Sequence, residues 1–238
     1  LYTSVFREKW DIIIDFRSSL ISYFLQNKKK YIFKKNKKLN HLDQLKEFFN
    51  LKKLSLSIHT SKKEEAEAKQ KLSDQYKYIV LFPGGNWKPK IWPIENYNKI
   101  IHLLNNNFSN LKFVIVGSKE EKKLYLDNIM QNLPNKKFID LMGKSLTSTS
   151  AYMHKCNLFL GNDSGLMHLA VASNLKTIAF FGPTNDKIYG HSNLNSFVIR
   201  TKESYEDFNN NIIDNTRSYM HSIEPNEVLD YILDNKLL

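Results

Sequence analysis

The chain has 238 residues, 42% of them apolar and 13% aromatic, and carries a formal charge of +11 at pH 7. That length buries a core of one large or two small domains, and no uninterrupted apolar run is long enough to span a bilayer. A lone cysteine, Cys156, excludes an intramolecular disulfide, and no Cys/His spacing suggests zinc, so no metal is expected and a reducing, cytoplasmic setting fits.

Residues 1–60 read as a partial α/β domain. Trp10 to Phe16 predicts a buried strand that ends in a polar turn at Arg17-Ser18-Ser19. A helix is predicted over Leu20 to Leu25, a strand at Tyr31-Ile32-Phe33, and a helix over His41 to Phe49 with Leu42, Leu45, Phe48 and Phe49 on one face. Lys28-Lys29-Lys30, continued by Lys34, Lys35, Lys37 and Lys38, is the one dense basic cluster. It is a candidate contact for an anionic membrane or acceptor phosphates. Lysine-rich surfaces are ordinarily just solvated, and the lysine, asparagine and isoleucine bias is what an AT-rich genome produces. No nucleic-acid motif accompanies the charge, so nucleic acid is not an expected partner. Leu1 is not methionine and no leader pattern follows it, so further upstream sequence is expected.

Residues 61–75 are charged and alanine-rich, and predict a linker or exposed helix at the domain boundary. From 76 to 222 strands and helices alternate. Apolar runs at Tyr78–Phe82, Phe113–Val116, Phe138–Leu141, Cys156–Leu160, Lys176–Phe181 and Phe197–Ile199 predict strands. Helices are predicted at Ile94–Leu104, Glu120–Leu133, Ser148–His154 and Leu166–Ala172, and a closing helix over 223–238 with Pro225 in its first turn. Continuous apolar strands alternating with helices mean an α/β fold with a parallel, doubly wound, Rossmann-like sheet.

Three turns at the carboxyl ends of these strands are candidates for chemistry, because open α/β sheets bind ligands there. In Pro83-Gly84-Gly85-Asn86-Trp87-Lys88-Pro89-Lys90-Ile91-Trp92-Pro93 the glycines let backbone approach a phosphate, and Lys88 or Lys90 can neutralise it. It is neither a Walker loop nor a Gly-x-Gly-x-x-Gly turn. In Gly117-Ser118-Lys119-Glu120-Glu121 an acid just past the strand can accept from ribose hydroxyls; the plainer reading is a helix cap by Ser118. In Gly161-Asn162-Asp163-Ser164-Gly165-Leu166-Met167-His168 a helix starting near Ser164 aims free N–H groups and a positive dipole end at an anion. Asp163 and Ser164 also have a capping explanation, and a helical histidine such as His168 is more often packed than catalytic.

Together these residues resemble glycosyltransferase family nine, the ADP-heptose:lipopolysaccharide heptosyltransferases and their relatives. The resemblance rests on Pro83-Gly84 with Lys90-Ile91-Trp92-Pro93; on Asp163, Ser164, Gly165, His168 and Ala170; and on Phe181 to Thr184. Trp10-Asp11 to Ser19 and Glu224 to Leu238 extend it. It implies a GT-B architecture of two Rossmann-like domains and an inverting, metal-independent sugar transfer from a nucleoside-diphosphate donor. The donor is implied to be ADP-linked heptose, and the acceptor a lipopolysaccharide core or related glycolipid. No further cofactor is implied, and the setting is cytoplasmic, with peripheral contact at the inner face of the inner membrane.

The resemblance gives Lys90 the donor phosphates and the stabilisation of the leaving group, and Asp163, Ser164, Gly165 and His168 the diphosphate and sugar. Gly84 and Gly85 belong to the same donor site. Glu120 and Glu121 compete for the ribose, with a slight lean to Glu121, and Lys144-Ser145-Leu146 belongs near the base. The family's general base sits in an early loop of the first domain, which this chain is expected to lack, so the chain by itself is expected to be inactive. Two other functions compete: a nucleotide-sugar epimerase or hydrolase on the same architecture, and a non-catalytic basic binding protein.

Overall fold

The computed structural model describes residues 5–36, 38–131, 133–191 and 195–238, so Lys37 of the basic cluster lies outside the described residues. The chain divides into two compact units, Leu1–Leu54 and Ser55–Leu238. No helix among the described residues is long and apolar enough to cross a membrane.

In the first unit, β1 (Trp10–Asp15) pairs in parallel with β2 (Asn27–Ile32), with a one-turn helix α1 (Ile21–Phe24) between them and α2 (His41–Phe48) after them. Phe16, Phe33 and Phe48 pack ring against ring, with centroids 5.4–6.1 Å apart. The carboxylate of Asp15 closes the polar turn by accepting from the Arg17 and Ser19 amides at 2.8 and 2.6 Å. The strand at Trp10 is present but is not buried as the sequence predicts: Trp10, Ile12 and Ile14 are exposed, since a two-stranded ribbon covers little of either face. The second strand starts earlier than Tyr31, so Lys28–Lys30 lie within β2. Lys28 pairs with Asp11 at 2.6 Å, and Lys30 sits over the Tyr23 ring.

The second unit carries a six-stranded, wholly parallel sheet in the order β5-β4-β3-β6-β7-β8. Its strands are β3 (Lys77–Phe82), β4 (Leu111–Ile115), β5 (Phe138–Asp140), β6 (Leu158–Asn162), β7 (Thr177–Phe181) and β8 (Ser196–Arg200). The chain runs β3, β4, β5 toward one edge, then returns to lay β6 beside β3 and runs toward the other. The direction of winding therefore reverses between β3 and β6, which puts a crevice outside their carboxyl ends.

The helices are α3 (Lys62–Lys71), α4 (Ile94–Asn107), α5 (Lys119–Met130), α6 (Leu146–Met153), α7 (Gly165–Ala172), α8 (Asp186–Tyr189), α9 (Tyr205–Asn209) and α10 (Pro225–Asp234). One apolar cluster joins Ile79, Leu81 and Phe113 to Tyr97, Ile101, Ile129 and Val228. A second, on the opposite side chains of the same strands, joins Val80, Phe82 and Val114 to Ala68, Tyr152 and Met167. The alternation along β3 assigns neighbouring residues to opposite clusters, as a sheet covered on both faces requires.

The stretch predicted as a linker or exposed helix forms, over Lys62–Lys71, a helix packed within the second unit. Ala68 is fully buried in α3 and Leu72 follows it into the core. Polar contacts fix it further: Glu64 accepts from Thr147 Oγ1 at 2.6 Å, and Glu67 from Lys144 Nζ at 3.1 Å and Tyr152 Oη at 3.2 Å. These hydrogen bonds hold both carboxyls below the usual range, Thr147 acting first on Glu64 and Lys144 first on Glu67. The sequence hides this docking, because a single alanine is enough to seat a helix that is charged elsewhere.

Candidate functional site

The turn after β3 brings Lys90 toward the crevice on a single 3₁₀ turn, Lys88–Lys90. Trp92, two residues on, anchors the turn: its ring is fully buried against Tyr97 and Phe180, and its Nε1–H donates to the Ile223 carbonyl at 2.9 Å. Core plugging by Trp92 and presentation of Lys90 are thus two ends of one device. Lys90 Nζ lies 3.5 Å from Asp163 Oδ2, and both side chains are largely buried.

Asn162, fully buried at the end of β6, holds this arrangement together. Its Oδ1 accepts from the Trp92 amide at 2.9 Å and its Nδ2 donates to the Gly84 carbonyl at 2.8 Å. One side chain thereby satisfies groups on two parts of the β3 turn that would otherwise be buried and unpaired. The sequence reads Gly161-Asn162 as part of the turn, whereas both residues complete the strand.

The second turn is organised by Glu121. Ser118 caps α5 in a full capping box: Ser118 Oγ accepts from the Glu121 amide, and Glu121 Oε2 accepts from the Ser118 amide at 2.7 Å. The other oxygen, Oε1, accepts from the Gly85 amide at 2.7 Å. A Cβ on Gly84 would stand 2.1 Å from that oxygen, so any side chain there would have to push the Glu121 carboxylate aside. Capping explains part of Glu121, and the reach across to the neighbouring turn explains the rest. Glu120 is exposed, and its own backbone amide, then the Ser118 side chain, hold its carboxyl below the usual range.

In the third turn Ser164 is the N-cap of α7, its Oγ accepting from the Met167 amide. Gly165 is exposed, with open space where a Cβ would stand. His168 lies one turn into α7, half-buried, with its Nδ1 2.7 Å from Nε2 of His191. His191 is buried, and burial, followed by the neighbouring imidazole of His168, lowers its pKa to about 4. The adjacent Gly182 turn is braced by Arg200, which donates to the Gly182 carbonyl and pairs with Asp186.

These turns surround a cleft of about 830 Å³. Gly85 and Lys90 line it from the first turn, and Glu121 from the second. Lys144 lines it from the turn after β5, and Ser164 and Gly165 from the start of α7. Gly84, Glu120, Asp163 and His168 are not among its lining residues. Gly84 and Asp163 stand directly behind it, through Glu121 and Lys90, while Glu120 faces solvent. Lys144 is shared between the cleft and Glu67. Gly143, at φ +80°, makes the left-handed bend that presents it.

Sequence comparison matches residues 40–215 to the model of glycosyltransferase family 9 (heptosyltransferase). The chain is 32% identical over 186 residues to lipooligosaccharide heptosyltransferase 2 of Campylobacter jejuni, a match covering 71% of this chain and 56% of that protein. A Haemophilus influenzae lipooligosaccharide heptosyltransferase 2 is 33% identical over 112 residues, 45% of this chain and 32% of the relative. The chain thus spans about half the length of the Campylobacter relative. Among solved structures, a family 9 glycosyl transferase from Veillonella parvula superposes with a TM-score of 0.75 at 20% identity, over 97% of this chain and 75% of that one. The E. coli ADP-heptose lipopolysaccharide heptosyltransferase II superposes with a TM-score of 0.73 at 19% identity, over 95% and 76%. These neighbours share the fold, of GT-B type, and with the family match over most of the chain they carry the conclusion that it belongs to glycosyltransferase family 9.

Proposed function

We propose that the cleft outside β3 and β6 binds the diphosphate and nucleoside of a nucleotide-sugar donor, and that the protein transfers the sugar to a lipopolysaccharide core or related surface glycan. Heptose linked to ADP is the donor we favour, because structural neighbours include an E. coli heptosyltransferase described with ADP and with an ADP-2-deoxy-2-fluoro heptose. The observation that carries the reading is the meeting of Lys90 with the Ser164-capped start of α7 at one cleft, where the sheet reverses its winding.

The chemistry follows from charge. In an inverting transfer an acceptor hydroxyl attacks the anomeric carbon in line as the bond to the diphosphate breaks, and negative charge grows on the departing oxygen. Lys90 and the uncapped N–H groups of α7 are donors fixed in advance for that charge. We read them, rather than a metal ion, as the stabilisers. Asp163 holds the ammonium in place before the donor arrives. Gly85 and Gly165 keep the wall low enough for phosphate oxygens to meet backbone amides. We assign the ribose to Glu121, which has lone pairs to spare beyond the two amides it already accepts. Lys28 and Lys29 of β2 are exposed and suit anionic lipid headgroups or acceptor phosphates, consistent with a peripheral enzyme at a cytoplasmic membrane face.

Thermal-shift titration with ADP, UDP and GDP tests the reading. Stabilisation by ADP above the others supports it, and Lys90→Ala is expected to lose most of that stabilisation. No shift with any nucleoside diphosphate overturns it.

A further inference from the structure

His168 and His191 face each other through a single hydrogen bond, Nδ1 to Nε2 at 2.7 Å, with their rings nearly perpendicular. The two residues sit on different elements: His168 on α7, four residues after Ser164, and His191 just past α8. One ring must donate and the other accept. His191 is only 7% exposed, and its remaining nitrogen, Nδ1, is buried without a hydrogen-bond partner among the described residues.

That orphan decides the direction. If His168 donated, a neutral His191 would carry its proton on Nδ1, as a buried N–H with no acceptor, and orphaned buried N–H groups are the rarest kind in folded proteins. If His191 donates from Nε2, only a bare lone pair remains on Nδ1. A doubly protonated His191 is opposed by its burial. A protonated His168 would have to donate from Nδ1, which returns the proton of His191 to the orphan position.

We propose that His191 is a positioning residue: it donates Nε2–H to His168 Nδ1 and fixes His168 as a neutral ring whose proton is on Nε2. His168 then always presents a donor, never a lone pair, to whatever its second nitrogen meets. This rests on the reading of the Ser164–His168 segment as part of the donor site, where the group to be met is a phosphate or sugar oxygen. A ring free to change tautomer would offer that oxygen a repelling lone pair part of the time.

The tautomers are read directly by two-bond ¹H–¹⁵N correlation spectra of the imidazoles in the ligand-free chain at pH 7.5, assigned with His168→Gln and His191→Gln variants. Both rings are expected to carry their proton on Nε2. A His168 proton on Nδ1, or a cationic His168, overturns the proposal. ADP titration supplies a second arm. His191→Gln retains an N–H donor and is expected to keep affinity within about twofold, whereas His191→Leu is expected to lose about tenfold, the scale of a hydrogen bond to a charged group. Equal affinities for the two variants overturn the positioning role. A wild-type chain that binds no nucleoside diphosphate counts against the function proposed above, while the tautomer spectra still decide the role of His191.

Discussion

The carboxylate of Glu121 receives the amide of Gly85 at 2.7 Å, across 36 residues of sequence. Its other oxygen closes the cap on its own helix. The same contact leaves no room at Gly84, so the three residues form one unit that ties the first two turns of the crevice. Glu121→Ala is expected to cost about 2 kcal/mol, the sum of a lost cap and a stranded amide. Gly84→Ala is expected to cost a similar amount by pushing the carboxylate aside. The double variant is expected to cost clearly less than the sum of the two, since each change removes the reason for the other. Urea unfolding of the four proteins checks this, and additivity would sink it.

Asn162→Ala strands the Trp92 amide and the Gly84 carbonyl at once. A loss of about 3 kcal/mol is expected. Asn162→Asp keeps the acceptor for Trp92 but sets an oxygen against the Gly84 carbonyl, so it is expected to be no better than alanine. Denaturant midpoints read both. A near-neutral Asn162→Asp would mean that the Gly84 contact contributes nothing.

Stability is expected to fall on mild acidification because of His191. Its pKa drops from 6.5 to about 4 on folding. Between those values the unfolded chain binds more protons than the folded one, so stability decreases as the pH falls through 6.5 and the loss is complete below about 4. The whole effect is at most about 3 kcal/mol. His191→Gln is expected to flatten the profile between pH 7.5 and 5. Parallel wild-type and variant profiles would show that the histidine is not the cause.

The acids of α3 act at lower pH. Both Glu64 and Glu67 sit below the ordinary 4.5 when folded. Their contribution is present above that value and is lost as the pH falls through the lowered folded values. A Glu64→Gln, Glu67→Gln double variant is expected to show a shallower decline below pH 4.5 than wild type. Because Lys144 is released from Glu67, ADP affinity is expected to rise by about twofold at low salt, the scale of an exposed ion pair. Calorimetric titration at low and high salt checks this, and weaker binding by the variant would refute the sharing of Lys144.

Much of this was legible before the structure. The alternation from Tyr78 onward predicts the parallel sheet, because strands covered on both faces read as unbroken apolar runs. The same pattern fails at Trp10, where an apolar strand lies in a ribbon of two and stays exposed. Lys90, Ser164 and Gly165 could be singled out because their chemistry is local: a lysine on a turn, a cap, a residue without a side chain. Asn162 and His191 could not, since their partners lie 70 and 23 residues away and nothing near them in sequence announces the contact. Glu121 falls between, its cap visible in Ser118-Lys119-Glu120-Glu121 and its hold on Gly85 not.

Helix α3 has one buried alanine and ten residues that are otherwise mostly charged, too short and too polar to persist as a helix by itself. Its amides are therefore shielded only while Lys144, Thr147 and Tyr152 grip it. In a deuterium-exchange experiment α3 and the Lys144–Thr147 wall should open together, as one cooperative block. A bound nucleotide that steadies the wall should then slow exchange in a helix that does not line the cleft, giving a remote gauge of occupancy.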